Sequence, residues 1–85
     1  MDKTIVCKFD LFDATQRIYE ISDDGQKIIA TVESDGIADA LSGLAYNHKI
    51  GNIHLYGAEE YLNGIVENIK TNSLYSEHNF KIEVN

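Results

Sequence analysis

The order of the apolar patterns along the chain is the feature that most constrains its fold. Three strand-like stretches come first: residues 4–12, which alternate with a period of two, and residues 16–21 and 27–33, which are rich in β-forming residues. A helical stretch, a lone strand at residues 52–56, a second helical stretch and a last strand follow. Asp and Gly in the turn at residues 22–25 tolerate the left-handed backbone of a hairpin loop. The first third of the chain is therefore predicted to form an antiparallel meander.

The first helix is predicted from a change of period after residue 33. Asp35 is placed to cap its free amides, and His48 or Lys49 is expected to end it. Gly51 is expected to take the left-handed closing conformation. The apolar stripe that this helix would bury consists of Ile37, Ala38, Leu41, Leu44 and Ala45.

The second helix is predicted to open at Glu59 and Glu60, because the helix dipole favours carboxylates in the first turn. Gly64 inside it suggests a close approach to the sheet. Residues 70–79 are expected to form a loop, and residues 80–84 alternate as the closing strand. The buried stripe of this helix is Tyr61, Leu62, Ile65, Val66 and Ile69.

This order of elements predicts one α/β domain over residues 1–85 with a single five-stranded mixed sheet. Crossovers between parallel strands are right-handed in nearly all proteins. The natural strand order is therefore 3-2-1-4-5, with strand two antiparallel to the others. Both crossovers then run in the same direction, so both helices are expected on one face. The other face is left without a helix.

Composition and charge exclude several function classes. The net charge of -7 disfavours direct binding to nucleic acid or to an anionic membrane, since both need clustered Lys and Arg. The longest apolar runs are too short to span a membrane. Cys7 is the one cysteine and stands in an apolar strand, which suggests a core side chain in a reducing compartment. The cytoplasm is the expected location, with a protein as the expected partner.

Residues that could carry chemistry have a simpler structural explanation in each case. His48, His54 and His78 with Cys7 lack the short paired spacings of zinc ligands. A mid-strand Cys7 is usually inert as a nucleophile. A cation site could be assembled only from scattered acids that also serve as surface or helix-start residues, namely Asp10, Asp13, Asp39, Glu59 and Glu60. We therefore expect no catalytic residue, no metal and no cofactor.

The predicted helix-free face is the better candidate for a binding site. Alternation places Lys8, Asp10, His54, Tyr56, Lys81 and Glu83 on it. Strand two is expected to add Arg17 and Tyr19. Aromatic residues and Arg are enriched at interfaces, which nominates Arg17, Tyr19, His54 and Tyr56 as interaction residues. A plain solvated sheet face is the alternative.

The element order and the first strand, Val6-Cys7-Lys8-Phe9-Asp10, resemble the core of the ribonuclease-H-like superfamily. The resemblance implies an acidic residue, Asp10, in a metal-dependent nuclease site. Nucleases of this kind carry further carboxylates on the first helix and at the end of strand four, where this chain has Asp39 and Tyr56. The chain is also similar in composition to small proteins of phages and mobile elements in low-GC bacteria.

The sequence thus predicts a small non-enzymatic interaction or regulatory protein. It is expected to form a homodimer through the helix-free face or through an edge strand. A minimal nuclease that uses Asp10 is one alternative. An acidic decoy that occupies a nucleic-acid-binding protein is another.

Overall fold

The computed structural model describes residues 3–85, which form one five-stranded sheet covered on one face by helices. A 3-10 turn, Ser34–Gly36, leads into the first helix. The strands are β1 (Lys3–Lys8), β2 (Thr15–Ser22), β3 (Gly25–Glu33), β4 (Ile50–Tyr56) and β5 (Lys81–Val84). The helices are α1 (Ile37–His48), α2 (Glu59–Lys70) and the short α3 (Ser73–Glu77).

The strand order is β3-β2-β1-β4-β5. β2 runs antiparallel to both β1 and β3, whereas β1, β4 and β5 are parallel. The predicted α/β class, sheet order and orientation of strand two are confirmed. The order follows from two parallel crossovers that each place one helix on the same side of the sheet.

The core lies between α1, α2 and one face of the sheet. Successive strand residues point to opposite faces, so every second residue of β1 and β4 enters this core. The fully buried side chains include Ile5, Cys7, Ile18, Ile53 and Leu55 from the strands, and Leu41, Leu62 and Ile69 from the helices. Burying one such aliphatic side chain contributes roughly 1.5–3 kcal/mol. This burial therefore packs the two long helices against a single face of the sheet.

The first strand ends earlier than the alternation predicts, at Lys8 rather than at residue 12. The Phe9 amide still donates to the carbonyl of Tyr56 at 2.8 Å, and the Phe9 ring meets the Tyr61 ring edge-on. Asp10 then accepts a hydrogen bond from the Phe12 amide through its Oδ1 at 2.9 Å. This local turn competes with strand pairing, so the chain leaves the sheet after β1.

The first helix ends at His48, as predicted, but the capping residues predicted at both of its ends need correction. Asp35 lies in the 3-10 turn, and Gly36 is the N-cap residue, without a side-chain hydrogen bond. At the other end Lys49, not Gly51, takes the left-handed conformation, with φ of 55°. Ile50 is fully buried as the first residue of β4, so the chain must turn one residue before it.

Two expectations for the segment after β4 also change. Gly64 is exposed, and a Cβ atom added there would meet nothing within 4 Å, so it does not mark a close contact with the sheet. The stretch at residues 70–79 contains α3, which begins because the Asn72 Oδ1 accepts the Leu74 amide. His78 anchors this stretch by donating from Nε2 to the Ile50 carbonyl at 2.8 Å.

Candidate interaction surface

The helix-free face of the sheet is the candidate site, and strand register defines its members. Val6 pairs with Tyr19 on β2 and with His54 on β4, so these three side chains share the face. The same register places two or three residues of every strand there. We call this set the helix-free face: Thr4, Val6, Lys8, Arg17, Tyr19, Ile21, Gln26, Ile28, Thr31, Asn52, His54, Tyr56, Lys81 and Glu83.

All four residues nominated from the sequence lie on the helix-free face. Tyr19 and His54 flank Val6 from the two sides, and Tyr56 lies beside Lys8. Arg17 stands opposite Thr31 on the outer hairpin. The expectation for Asp10 is wrong, because β1 ends before it and the residue belongs to a loop.

The centre of the helix-free face is apolar, which the sequence reasoning missed. Val6 is only 5% exposed although no helix covers it. It belongs to a shallow depression of about 440 Å³ that is lined by Thr4, Val6, Lys8, Ile21, Gln26, His54 and Tyr56. Ile21 and Tyr56, which line it, are 37% and 38% exposed, and Ile28, which pairs with Tyr19 on the same face, is 49% exposed. The depression thus has an apolar floor and a partly apolar wall.

Ile28 reaches this face because of a register irregularity. Ile18 pairs with Ala30, but the next residue, Tyr19, pairs with Ile28. Ile29 is therefore the extra residue of a β-bulge, which reverses the alternation within β3. A strict period of two would place Ile28 and Ala30 on the same face. The pairing with β2, rather than the β3 sequence alone, is the signal that locates Ile28.

The helix-free face differs in charge from the rest of the chain. It holds Lys8, Arg17 and Lys81 out of seven basic residues. Of the fourteen acidic residues it holds Glu83, together with Glu33 at its corner opposite Thr15. The His54 Nε2 lies 3.5 Å from the Glu83 Oε2. The face is thus close to neutral on a chain whose net charge is -7.

Other candidate chemistry is dispersed. Within residues 3–85, no three His, Cys, Asp or Glu side chains converge on a point that could hold a metal ion. Cys7 faces the core, whereas His54 on the neighbouring strand belongs to the opposite face. Burial raises the pKa of the Cys7 thiol to about 12. The Asp10 carboxylate is occupied in holding the turn at Phe12.

Comparisons with known proteins add no family assignment. No protein-family model matches the chain, and no curated protein gives a significant match. In the described residues, none of the helices has the length and apolar character needed to cross a membrane. The fold and its surfaces are therefore the observations from which function has to be argued.

Proposed function

We propose that this protein is a small non-enzymatic interaction module that forms a homodimer through the helix-free face. The observation that carries the proposal is the exposed apolar group on this face: Ile21 and Tyr56 line the depression above Val6, and Ile28 lies on the same face beside Tyr19. Apolar side chains clustered at the centre of a surface and surrounded by polar ones are typical of interfaces. Isolated exposed apolar residues would carry no such meaning.

Charge favours a second copy as the occupant of this face. Two chains of net charge -7 repel one another at most surfaces, and like charges across an interface are unfavourable. The helix-free face has nearly balanced charge, so it can approach its own copy with the least repulsion. In a symmetric pair, Lys8, Arg17 or Lys81 of one protomer can meet Glu33 or Glu83 of its partner. The same patch on both protomers is what a two-fold dimer requires.

The size of the face sets the expected strength. Five strands spaced by about 4.8 Å, with roughly six residues each at about 3.3 Å per residue, give roughly 500 Å² per protomer. A dimer would then bury about 1,000 Å² in total, which is the lower limit for a specific interface. We therefore expect a reversible dimer with a dissociation constant in the micromolar range or weaker.

Pairing through an edge strand is the less favoured arrangement. β3 is one edge of the sheet, and it carries both the bulge at Ile29 and the exposed side chain of Lys27. Bulges and lysines are the features by which edge strands avoid pairing with other chains. The other edge, β5, has only four residues. Neither edge offers the long flat strand that such pairing needs.

Sedimentation velocity over about 10 µM to 1 mM tests the homodimer. We expect the mean mass of the wild type to rise toward two chains with concentration. The Ile28→Ser/Tyr56→Ser variant should raise the dissociation constant at least tenfold, because both apolar contacts are removed. Tyr46→Ser is the matched control, since Tyr46 is 44% exposed on α1, away from this face. A wild type that stays monomeric at 1 mM contradicts the proposal.

The remaining sequence-based ideas stay predictions. The ribonuclease-H-like relationship rests on element order, and its nuclease form depends on Asp10. The decoy idea rests on the net charge of -7. We place the protein in the cytoplasm because its one cysteine, Cys7, has no partner with which to form an internal disulfide.

A further inference from the structure

The loop between β1 and β2 holds the most exposed apolar side chains of the described chain. Leu11 is 63% exposed and Phe12 is 100% exposed. The other two phenylalanines behave differently, since Phe9 is half-buried and Phe80 is 3% exposed. A Phe side chain that is entirely in water loses the apolar burial that normally stabilises a fold. Its position therefore calls for an explanation outside the monomer.

The loop is held in one shape by the buried side chain of Gln16, which is 3% exposed. The Gln16 Oε1 accepts the Asp10 amide at 3.1 Å. Its Nε2 donates to the carbonyls of Asp10 and Asp13 at 2.9 and 3.2 Å, and to the Ser34 Oγ at 3.0 Å. A single side chain thus bonds to both ends of the segment that carries Leu11 and Phe12.

Three further hydrogen bonds hold the same segment. The Ser34 amide donates to the Ala14 carbonyl at 3.0 Å, which joins the loop to the turn before α1. The Asp13 amide donates to the Asp10 carbonyl at 3.1 Å, and the Asp10 carboxylate accepts a hydrogen bond from the Phe12 amide. Because the backbone is already ordered, binding through Phe12 would lose little further conformational entropy.

Acidic residues are concentrated in the loop that carries this apolar tip and in the turn beside it. Residues 9–16 and the adjoining residues 32–36 contain Asp10, Asp13, Glu33 and Asp35, and no Lys, Arg or His. Such a rim repels another copy of the chain and an anionic membrane surface. It attracts a surface that carries Lys or Arg, and it would raise the rate of association with that surface.

We propose that the loop at residues 9–14 is a second docking element, which inserts Phe12 and Leu11 into an apolar pocket rimmed by Lys or Arg on a partner protein. An aromatic anchor seated in a pocket and ringed by polar contacts is the usual arrangement of an interface hot spot. This element is distinct from the helix-free face, although the two surfaces adjoin at Glu33. It lies beyond the end of β1, and Gln16 has the same orientation as Ile18, toward the helices.

A site-specific cross-link first identifies the partner. The photoreactive residue benzoylphenylalanine replaces Phe12 in the full chain, within cells that produce it. The matched control places the same residue at Asp24, which is exposed in the β2–β3 turn. We expect one protein to be cross-linked from position 12 and not from position 24. Absence of such a product, or a product made only with another copy of this chain, overturns the proposal.

The purified partner then allows a quantitative test by calorimetry with the unmodified chain. Phe12→Ser should weaken binding about 30-fold or more, the level of a hot-spot residue, and should leave folding intact because the side chain touches nothing. Ile28→Ser, an apolar-to-polar change on the other surface, should change binding less than about twofold. Equal effects of the two variants, or none from Phe12→Ser, overturn the proposal.

Salt dependence tests the acidic rim. Affinity should fall between 50 and 300 mM NaCl, and Asp13→Asn should reduce that fall, since it removes one charge while the Asp13 carbonyl keeps its hydrogen bonds. An affinity that is independent of salt contradicts the basic rim of the partner. Sedimentation with phosphatidylcholine vesicles separates a lipid target from a protein one, and Phe12-dependent binding to these vesicles overturns the proposal.

Discussion

The two faces of the sheet reach similar burial by different means. On β1, Cys7 is fully buried against the helices, and its neighbour Val6, on the helix-free face, is 5% exposed. Cys7 is covered by side chains from other elements of the fold. Val6 is covered only laterally, by residues of the sheet itself such as Tyr19 and His54. Low exposure therefore identifies a core position on one face and the floor of an open depression on the other.

Thiol reactivity gives the largest expected difference between the faces. At pH 8, Cys7 in the wild type should react with a thiol reagent at least about tenfold more slowly than an ordinary thiol, because the greater nucleophilicity of a more basic thiolate offsets only part of its lower abundance. Burial raises its pKa from 9.0 to about 12, and each unit lowers the thiolate fraction tenfold. In Ile28→Cys, the second thiol is expected to react at the ordinary rate, because residue 28 is half exposed. Stopped-flow absorbance with a chromogenic disulfide measures both rates, and similar rates would contradict the comparison.

The raised pKa of Cys7 also determines how the free energy of unfolding changes with pH. The folded state holds the Cys7 proton more tightly than the unfolded state, whose thiol has the ordinary pKa of 9.0. The stability contributed by the neutral thiol is therefore fully present below pH 9 and is lost as the pH rises toward 12. Cys7→Ala should lack this part of the alkaline loss when urea unfolding is followed at several pH values.

Sheet order could be predicted from the sequence because it depends on long-range rules. The alternation in β1 and β4 shows which residues share a face, and right-handed crossovers place both long helices on one side. Local backbone geometry could not be predicted in the same way. Lys49 takes the left-handed conformation in place of Gly51, since burying Ile50 favours an earlier turn. That preference depends on tertiary contacts, which a propensity argument does not contain.

Strand alternation predicts part of the candidate surfaces, and the rest depends on local backbone geometry. Tyr19, His54 and Tyr56 follow from strand alternation, whereas Ile28 depends on a bulge that only pairing reveals. The regular alternation over residues 4–12 predicts that the exposed Phe12 belongs to the first strand. The contrary signal was Asp10, two residues before Phe12, which favours a local turn. Alternation alone does not distinguish a continued strand from a local turn at these residues.

Substitution of one isoleucine on each face compares how much the two faces contribute to the free energy of unfolding. Ile53→Ala should lower the free energy of unfolding by about 2–5 kcal/mol, because Ile53 is fully buried and its loss leaves a cavity. Ile28→Ala should lower it by about 1 kcal/mol or less, since the side chain is half in water. Urea unfolding at about 1 µM keeps the chain below the expected dimerisation range. Similar losses for the two variants would show that both faces are packed as a core.

The smallest expected effect concerns the ion pair on the helix-free face. The His54 and Glu83 side chains are 29% and 59% exposed and lie 3.5 Å apart. An exposed pair of this kind contributes at most about 0.5–1 kcal/mol. A double-mutant cycle of His54→Asn and Glu83→Gln should therefore give a coupling energy within about 0.5 kcal/mol of zero for the monomer.

The dependence of the His54–Glu83 coupling energy on protein concentration tests whether a second copy covers the helix-free face. If a second copy seats on the helix-free face, water is excluded and the pair acts in a lower dielectric, where charge interactions strengthen. Removing one partner would then leave the other desolvated and uncompensated. The coupling energy should grow as the protein concentration rises from about 1 µM to 1 mM. A coupling that stays constant over this range would place the ion pair, and with it the β4–β5 side of the helix-free face, outside the dimer contact.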